Sequence, residues 1–467
     1  MPAMPPLRFP HPLALLTGCI LAAAIASHVV PAGEYERRED SVTGRQVVVA
    51  GTYHRVPAHP VGAFEAIVDI PRGLADAASV IFLVFLVGGA FTVVDETGAL
   101  RQAVGWLVHR LRDREALVIP IVSIAFAAGG ALENMSEEII ALVPVLLLVT
   151  RPLGFDAVTA IAISIGAAAV GAAFSPINPF QVQIAQKLAG LPLLSGWRFR
   201  LILLALALAA WIWATWRHAM RTRLAAPPPV APAGALLAPG AAATPFDPDA
   251  GRDPTGIDRS RGAVLLLVLV TAVVFVYGIL RLGWDFDQMS ALFLAMGMAA
   301  GLIGGLGVAG TAQSFVTGFS SMAYAAMLIG FARAIFVVLD QGRVIDTLVN
   351  ALVTPLQSLP TTLSALAMIV VQASIHVPVP SVSGQAVLTM PVLVPMSDLI
   401  GLSRQVVVLA YQTGAGLTDL VTPTNGALMA VTAAAGVKYT DWLAFAVPAY
   451  LGLLLLGAVA VVVAMHL

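Results

Sequence analysis

The chain has 467 residues, 59% of them hydrophobic, and a mean hydropathy of +0.90. Only 11% are charged, where soluble domains average about 25%, so most of the chain is written for lipid, and a net charge of −1 gives no reason to expect a nucleic-acid partner. The single cysteine, Cys19, excludes an intrachain disulfide, and no metal-ligand spacing, nucleotide-binding loop or cysteine cluster supports a metal site or an ATP-driven pump.

The first apolar run covers 13–31. Leu16-Thr17-Gly18-Cys19 imitates a lipoprotein processing site, but the run continues well past Cys19, which predicts a retained spanning helix. Residues 32–77 are mixed in charge, with β-formers around Arg45-Gln46-Val47-Val48-Val49, and predict an extramembrane loop with room for a hairpin. A second span is expected at about 78–97. Arg101, Arg110, Arg112 and Arg114 then alternate with apolar residues over 98–115, as in a helix lying at the membrane interface. Residues 116–150 put Glu133, Glu137 and Glu138 between two arms, the second only about a dozen apolar residues long and too short to span. A re-entrant hairpin (116–150) with its tip in protein fits better. A broken helix is expected at 156–190 and a span at 198–216. Residues 217–261, basic at both ends and rich in Pro, Ala and Gly between, form the linker, expected to be disordered and cytoplasmic. Further spans follow at 262–281, 288–308 and 322–340, then a hairpin at 362–397, a broken helix at 403–435 and a last span at 441–465.

The two hairpin-and-broken-helix stretches are copies. Aligned without a gap they match Ser136 with Ser383, Pro144 with Pro391, Gly154 with Gly401, Pro176 with Pro423 and Asn178 with Asn425. Matched interrupted segments in two halves, 1–216 and 262–467, point to a transporter's binding site. The reading is an all-α polytopic membrane protein with two re-entrant hairpins, two broken helices and about nine crossings. With the N-terminus cytoplasmic, the Arg-rich segments 98–115 and 217–261 both fall inside, the hairpins enter from opposite faces, and the repeat is inverted.

Pro176 and Pro423 free backbone carbonyls one turn earlier, and these, with Ser175, Asn178, Thr422, Thr424 and Asn425, offer neutral oxygens to a small cation; a sodium ion would use Ser175, Asn178, Thr422 and Asn425. Half-helix N-termini at the tips suit a carboxylate, with Asn134, Ser136, Ser381, Ser383 and Gln385 to complete the cradle. Against this stands the plainer role of Pro and small polar residues that satisfy one another. An ionisable group at bilayer centre costs about 2.5–3.5 kcal/mol, so Asp419, alone in an apolar helix, is a candidate for a proton, a sodium ion or a substrate ammonium. Its alternative is an ion pair with Arg333. Glu133, Glu137 and Glu138 either attract a cationic substrate or sit wet near the surface. His376 suits either a proton relay or a packed histidine, and Lys187 suits snorkelling to the interface. An intramembrane hydrolase built from Ser383 and His376 would leave the repeat unexplained.

Four motifs carry a resemblance over nearly the whole chain outside 217–261. They are Val30-Pro31-Ala32-Gly33-Glu34-Tyr35, Phe85-Leu86-Val87-Gly88-Gly89-Ala90-Phe91, Ser383-Gly384-Gln385-Ala386-Val387-Leu388-Thr389-Met390-Pro391 and Thr422-Pro423-Thr424-Asn425-Gly426. With them the chain resembles the YfcC-like family of the ion transporter superfamily, alongside arginine/ornithine exchangers, anaerobic C4-dicarboxylate carriers, aminobenzoyl-glutamate transporters and divalent anion/sodium symporters. The resemblance implies a homodimeric scaffold and a transport domain that moves as an elevator. In the sodium symporters the tips read Ser-Asn-Thr; here they read Asn134-Met135-Ser136 and Ser381-Val382-Ser383, so the sodium motif is not intact. The expected function is an inner-membrane secondary transporter, not an enzyme, without a resident cofactor. It would move a small amino acid, basic by preference, by exchange or with a proton or sodium ion, with a C4-dicarboxylate or other small carboxylate as the alternative cargo.

Overall fold

The computed structural model describes residues 11–39, 46–99, 102, 115–223, 259–282, 284 and 286–466. The expected interfacial helix at 98–115, apart from residues 98, 99, 102 and 115, and the middle of the expected linker lie outside these. The linker's described ends are helical instead: Arg217 and Arg221 belong to a helix over Trp197–Thr222, and Arg259 and Arg261 to one over Arg259–Leu282.

Helix α1 (Pro12–Val29) opens with Pro12 in its first turn, where a missing N–H is no loss, and carries Cys19 midway along. The loop after it holds four short strands, β1 (Gly33–Glu34), β2 (Arg37–Glu39), β3 (Gln46–Val48) and β4 (His54–Arg55). They pair β1 with β4 and β2 with β3, both antiparallel. Arg37 donates to both carboxylate oxygens of Asp346 at 2.9 Å, and the Tyr35 N–H donates to the same group. Burial and the nearby Asp346 push the Tyr35 phenol up to about 12, so it stays a donor, and it donates to Asn350. The rest of the expected loop is a helix, α2 (Ala63–Asp76), which the sequence reading missed. It lies directly on a later helix: a side chain at Gly73 would meet backbone atoms of Gly330 and Ala334 at 2.6 Å.

The following elements are α3 (Ala78–Glu96), α4 (Val118–Glu133), α5 (Glu137–Thr150), α6 (Ala157–Ala173), α7 (179–188), α8 (Trp197–Thr222), α9 (Arg259–Leu282), α10 (Phe286–Ile303), α11 (Gly307–Gln341), α12 (Ile345–Val353), α13 (Thr361–His376), α14 (Val382–Leu399), α15 (404–418), α16 (Gly426–Ala434) and α17 (Tyr439–Ala464). Where a span at 322–340 after a polar stretch was expected, α11 is one helix of 35 residues, about 52 Å at 1.5 Å per residue. Its polar N-terminal third is part of the rod.

Seven helices among the described residues are long and apolar enough to cross a membrane. One of them, Glu115–Leu132, is the stretch expected as a half-depth arm. Its α-helical part, α4, has 16 residues, about 24 Å against a hydrocarbon core of about 30 Å. By length it stands between an arm and a crossing. The arms α5 and α13 are shorter than a span, at 14 and 16 residues.

Helices α2 and α10 pack on α3 and α11, and α1 packs on α11. The seam between α3 and α11 is made by the motif glycines: Gly88 faces Met322, Gly89 faces Phe315 and Phe319, and Gly318 faces Gly89. Beside this group α4 lies on α6, α13 on α15, and α8 and α17 flank them, while α16 contacts both α11 and α5. The two halves of the sequence are therefore interleaved in space. Arg200 of α8, only 3% exposed, crosses between them. It donates to Gln412 Oε1 (2.8 Å), Gln405 Oε1 (3.0 Å) and the Ser195 carbonyl (2.9 Å), all neutral acceptors.

Candidate functional site

In both copies the first hairpin arm touches the broken helix backbone to backbone. A Cβ at Gly130 would fall 2.0 Å from the Ala168 carbonyl oxygen, one at Gly171 would fall 2.1 Å from that of Ala127, and one at Gly414 would fall 2.4 Å from that of Ile369. Each broken helix also holds a π-turn, at Ala162–Gly166 and at Gln412–Gly416. Such turns leave carbonyls seeking donors; the Trp211 indole N–H donates to the Ala162 carbonyl at 2.9 Å.

At the first break Ser175 is fully enclosed. Its hydroxyl donates to the Ala131 carbonyl (2.7 Å) and accepts from the N–H groups of Ile177 and Asn178. Asn178 donates to the Gly130 carbonyl (2.8 Å), and its oxygen caps the next half-helix by accepting from Phe180 and Gln181 N–H (both 2.9 Å). At the second break Asn425 caps α16 in the same way, accepting from Leu428 N–H at 3.0 Å. Here Thr424 donates to the Val377 carbonyl (2.6 Å), the place in the copy that Gly130 holds in the first. The Thr422 and Thr424 hydroxyls bond each other at 2.8 Å. Asn425 is thereby released to donate to Asp419 Oδ1 at 2.6 Å. The side-chain oxygens expected to hold sodium at Ser175, Asn178, Thr422 and Asn425 are thus each engaged in joining the breaks to the arms or to their own half-helices.

A cleft opens between the first tip and the two broken helices, lined by Asn134, Met135, Ser136, Ile165, Ala168, Ala169, Ala172, Asp419, Leu420, Asn425 and Leu428. Its empty space is about 360 Å³. Asn134 ends α4 in the left-handed conformation (φ 56°), which Asn tolerates better than most residues, and accepts from Gln181 Nε2 at 2.7 Å. The Ser136 hydroxyl donates to Glu137, whose half-buried carboxylate feels the charge of Asp419. Glu138 accepts from the Ser136 N–H at 3.1 Å.

Of the expected site residues, Asn134, Ser136, Asp419 and Asn425 meet at this cleft, with Glu137 beside them. Ser175, Asn178, Thr422 and Thr424 sit behind it. Ser381 caps α14, accepting from Gly384 N–H at 3.3 Å, and Ser383 lies half-buried on the second tip away from the cleft. The alternative pairing of Asp419 with Arg333 is overturned: Arg333 pairs with Asp76. Asp419 instead meets His376, Nε2 to Oδ1 at 2.8 Å. His376 is fully enclosed and its Nδ1 lies 2.9 Å from Gln385 Oε1, so neither ring nitrogen serves Ser383. Gln385 in turn donates to the Gln372 carbonyl (2.7 Å) and to Gln372 Oε1, and Gln372 donates to Thr389 (3.0 Å). Of this chain of polar groups Gln385 and Asp419 were picked out as binding residues and His376 as a candidate proton relay, while Gln372 and Thr389 were not. The i, i+4 spacing of Gln372 with His376 and of Gln385 with Thr389 was the signal that would have found the rest.

The chain matches the family model described as C4-dicarboxylate anaerobic carrier over residues 9–466. It is 30% identical over 473 residues to YfcC of Escherichia coli, provisionally named a basic amino acid antiporter, covering 93% of this chain and 92% of that one. A Haemophilus influenzae protein without an assigned function is likewise 30% identical over 438 residues, with 92% and 83% covered. Among solved structures the YdaH transporter of Alcanivorax borkumensis aligns at TM-score 0.43 and 18% identity over 97% of this chain and 98% of that one. MtrF of Neisseria gonorrhoeae, from a class of antimetabolite efflux pumps, aligns at 0.42 and 15% over 97% and 95%. The chain belongs to the C4-dicarboxylate anaerobic carrier (DcuC) family, with a YfcC-like sequence, and is a multi-pass membrane transporter.

Proposed function

We propose that this transporter is a secondary carrier of the inner membrane, with a cytoplasmic N-terminus and about nine crossings in an inverted repeat, moving a small basic amino acid by exchange or ion coupling. It works as a homodimer whose hairpins and broken helices travel as an elevator. The observation that carries the cargo assignment is electrostatic: Asp419 lines the cleft, Glu137 stands beside it, and no Lys or Arg is among the lining residues. Such a site favours a cation and repels a dicarboxylate. The name given to the YfcC relative agrees with this reading. The second reading, a C4-dicarboxylate, takes support from the family description and from the half-helix that starts at Glu137 beside the cleft, whose positive dipole end suits an anion.

Counterflow in proteoliposomes with labelled arginine, ornithine, lysine and succinate separates the two. Exchange of the basic amino acids with succinate left at background is the expected result. Exchange of succinate alone overturns the proposal in favour of the second reading.

A further inference from the structure

The hydrogen bonds around His376 have directions set by groups that cannot reverse their roles. The Gln372 backbone carbonyl only accepts, so the Gln385 amide nitrogen faces it (2.7 Å) and the Gln385 oxygen faces His376 Nδ1 (2.9 Å). Nδ1 therefore carries a hydrogen. On the other side the Leu428 backbone N–H only donates, which turns Asn425 Oδ1 towards it and the Asn425 amide nitrogen towards Asp419 Oδ1. What remains is the 2.8 Å contact of His376 Nε2 with Asp419 Oδ1. With no hydrogen between them a lone pair would face a carboxylate oxygen, and with two an N–H would face an O–H. The contact needs one.

We propose that His376 and Asp419 form a single one-proton site, which holds the coupling proton of the carrier. The proposal deepens the transporter reading above and rests on it. His376 is fully enclosed, while the Asp419 side chain keeps 21% of its surface exposed and lines the cleft. Asp419 Oδ2 makes no hydrogen bond among the described residues and is the door by which the proton exchanges with water. On release the proton passes to cleft water and leaves a neutral imidazole against a carboxylate, two acceptors at hydrogen-bond distance. That repulsion acts between the end of α13 and the end of α15, so discharging the site loosens the first arm of the second hairpin from the break. The ionisable neighbours are few. Glu137 faces Asp419 from the first tip, with Glu138 next to it on Ser136. Tyr411 and Tyr439 donate to backbone carbonyls, Tyr450 lies against Thr418, and Arg333 is turned to Asp76.

The test is ¹⁵N-histidine spectroscopy of the full-length protein in micelles between pH 5 and 9, with the His376 signals identified by their loss in His376→Gln. Nδ1 is expected to keep its hydrogen throughout while Nε2 changes at one midpoint. In Asp419→Asn that midpoint is expected to fall by at least tenfold in proton affinity. An unmoved midpoint, or loss of the Nδ1 hydrogen, overturns the proposal. Where His376→Gln does not fold, infrared difference spectra of the unmutated protein give a second answer. A carboxyl change sharing the imidazole midpoint supports the shared proton, and two separate midpoints overturn it. No substrate is present in either measurement, so failure of the amino-acid reading in counterflow is distinguishable from failure of this one.

Discussion

The two copies fold alike at their backbones and differ in what fills the space between arm and broken helix. Both bring the arm onto the rod through glycine, both break at Pro-Asn, and both use that Asn to cap the half-helix that follows. In the first copy the positions matching Gln372, His376, Gln385, Thr389 and Asp419 are Ala125, Gly129, Glu138, Leu142 and Ala172. Four of these five are apolar and the fifth, Glu138, turns to the Ser136 N–H at the tip, while the second interior is threaded by a polar chain that ends at the cleft. Ala172 and Asp419 hold equivalent places and line the same cleft. The two stretches share a frame, and at this matched position only the second carries a charge.

The largest effect is expected where the copies agree. Gly130→Leu and Gly414→Leu each drive a side chain into a backbone carbonyl that cannot retreat, and neither variant is expected to give a monodisperse protein on gel filtration. A folded Gly414→Leu beside an unfolded Gly130→Leu would show that the seam matters in one copy only. Asp419→Asn removes the charge that distinguishes the second copy. Concentrative uptake is expected to fall to background with the protein still folded, and undiminished uptake would remove Asp419 from the mechanism. Ala172→Asp puts a carboxylate at the equivalent place in the first copy, where no His376 answers it. A loss of about 2.5–3.5 kcal/mol is expected, read as a lower melting temperature. Combined with Asp419→Asn it is not expected to restore uptake. Thr424→Val is the mildest change: it removes the bond to the Val377 carbonyl at a cost of about 1 kcal/mol. It also invites Asn425 to swing to that carbonyl, as Asn178 does to Gly130, which a changed His376 spectrum would report.

The frame was readable because it is local. Pro176 and Pro423 break a helix wherever they occur, and Gly154 and Gly401 both adopt positive φ after the second arms. Asp419 was readable because a lone acid in an apolar run is costly. Its partner was not, because His376 lies 43 residues away in sequence and only the packing of α13 on α15 brings them together. The hydrogen bonds of Ser175 and Asn178 within the first break were not readable, because composition cannot reveal which partners folding brings to a side chain. Helix α2 was hidden by Pro71 and its charges, though its buried Asp69 meets Arg72 and Gln341 on folding. The polar start of α11 was left outside the span because Gly, Ser, Thr and Gln do not by themselves reveal that a helix continues through them.

The neutral partners of Arg200 have a mechanical consequence. Gln412, which accepts from the guanidinium, donates with its other end to the Ser175 carbonyl at 3.0 Å. A dehydrated positive charge is thereby riveted to the first break and to the second π-turn at once. Sliding one rod past the other would strip charge-assisted bonds of about 1.5–3 kcal/mol each. The two rods are thereby tied to each other at this crossing.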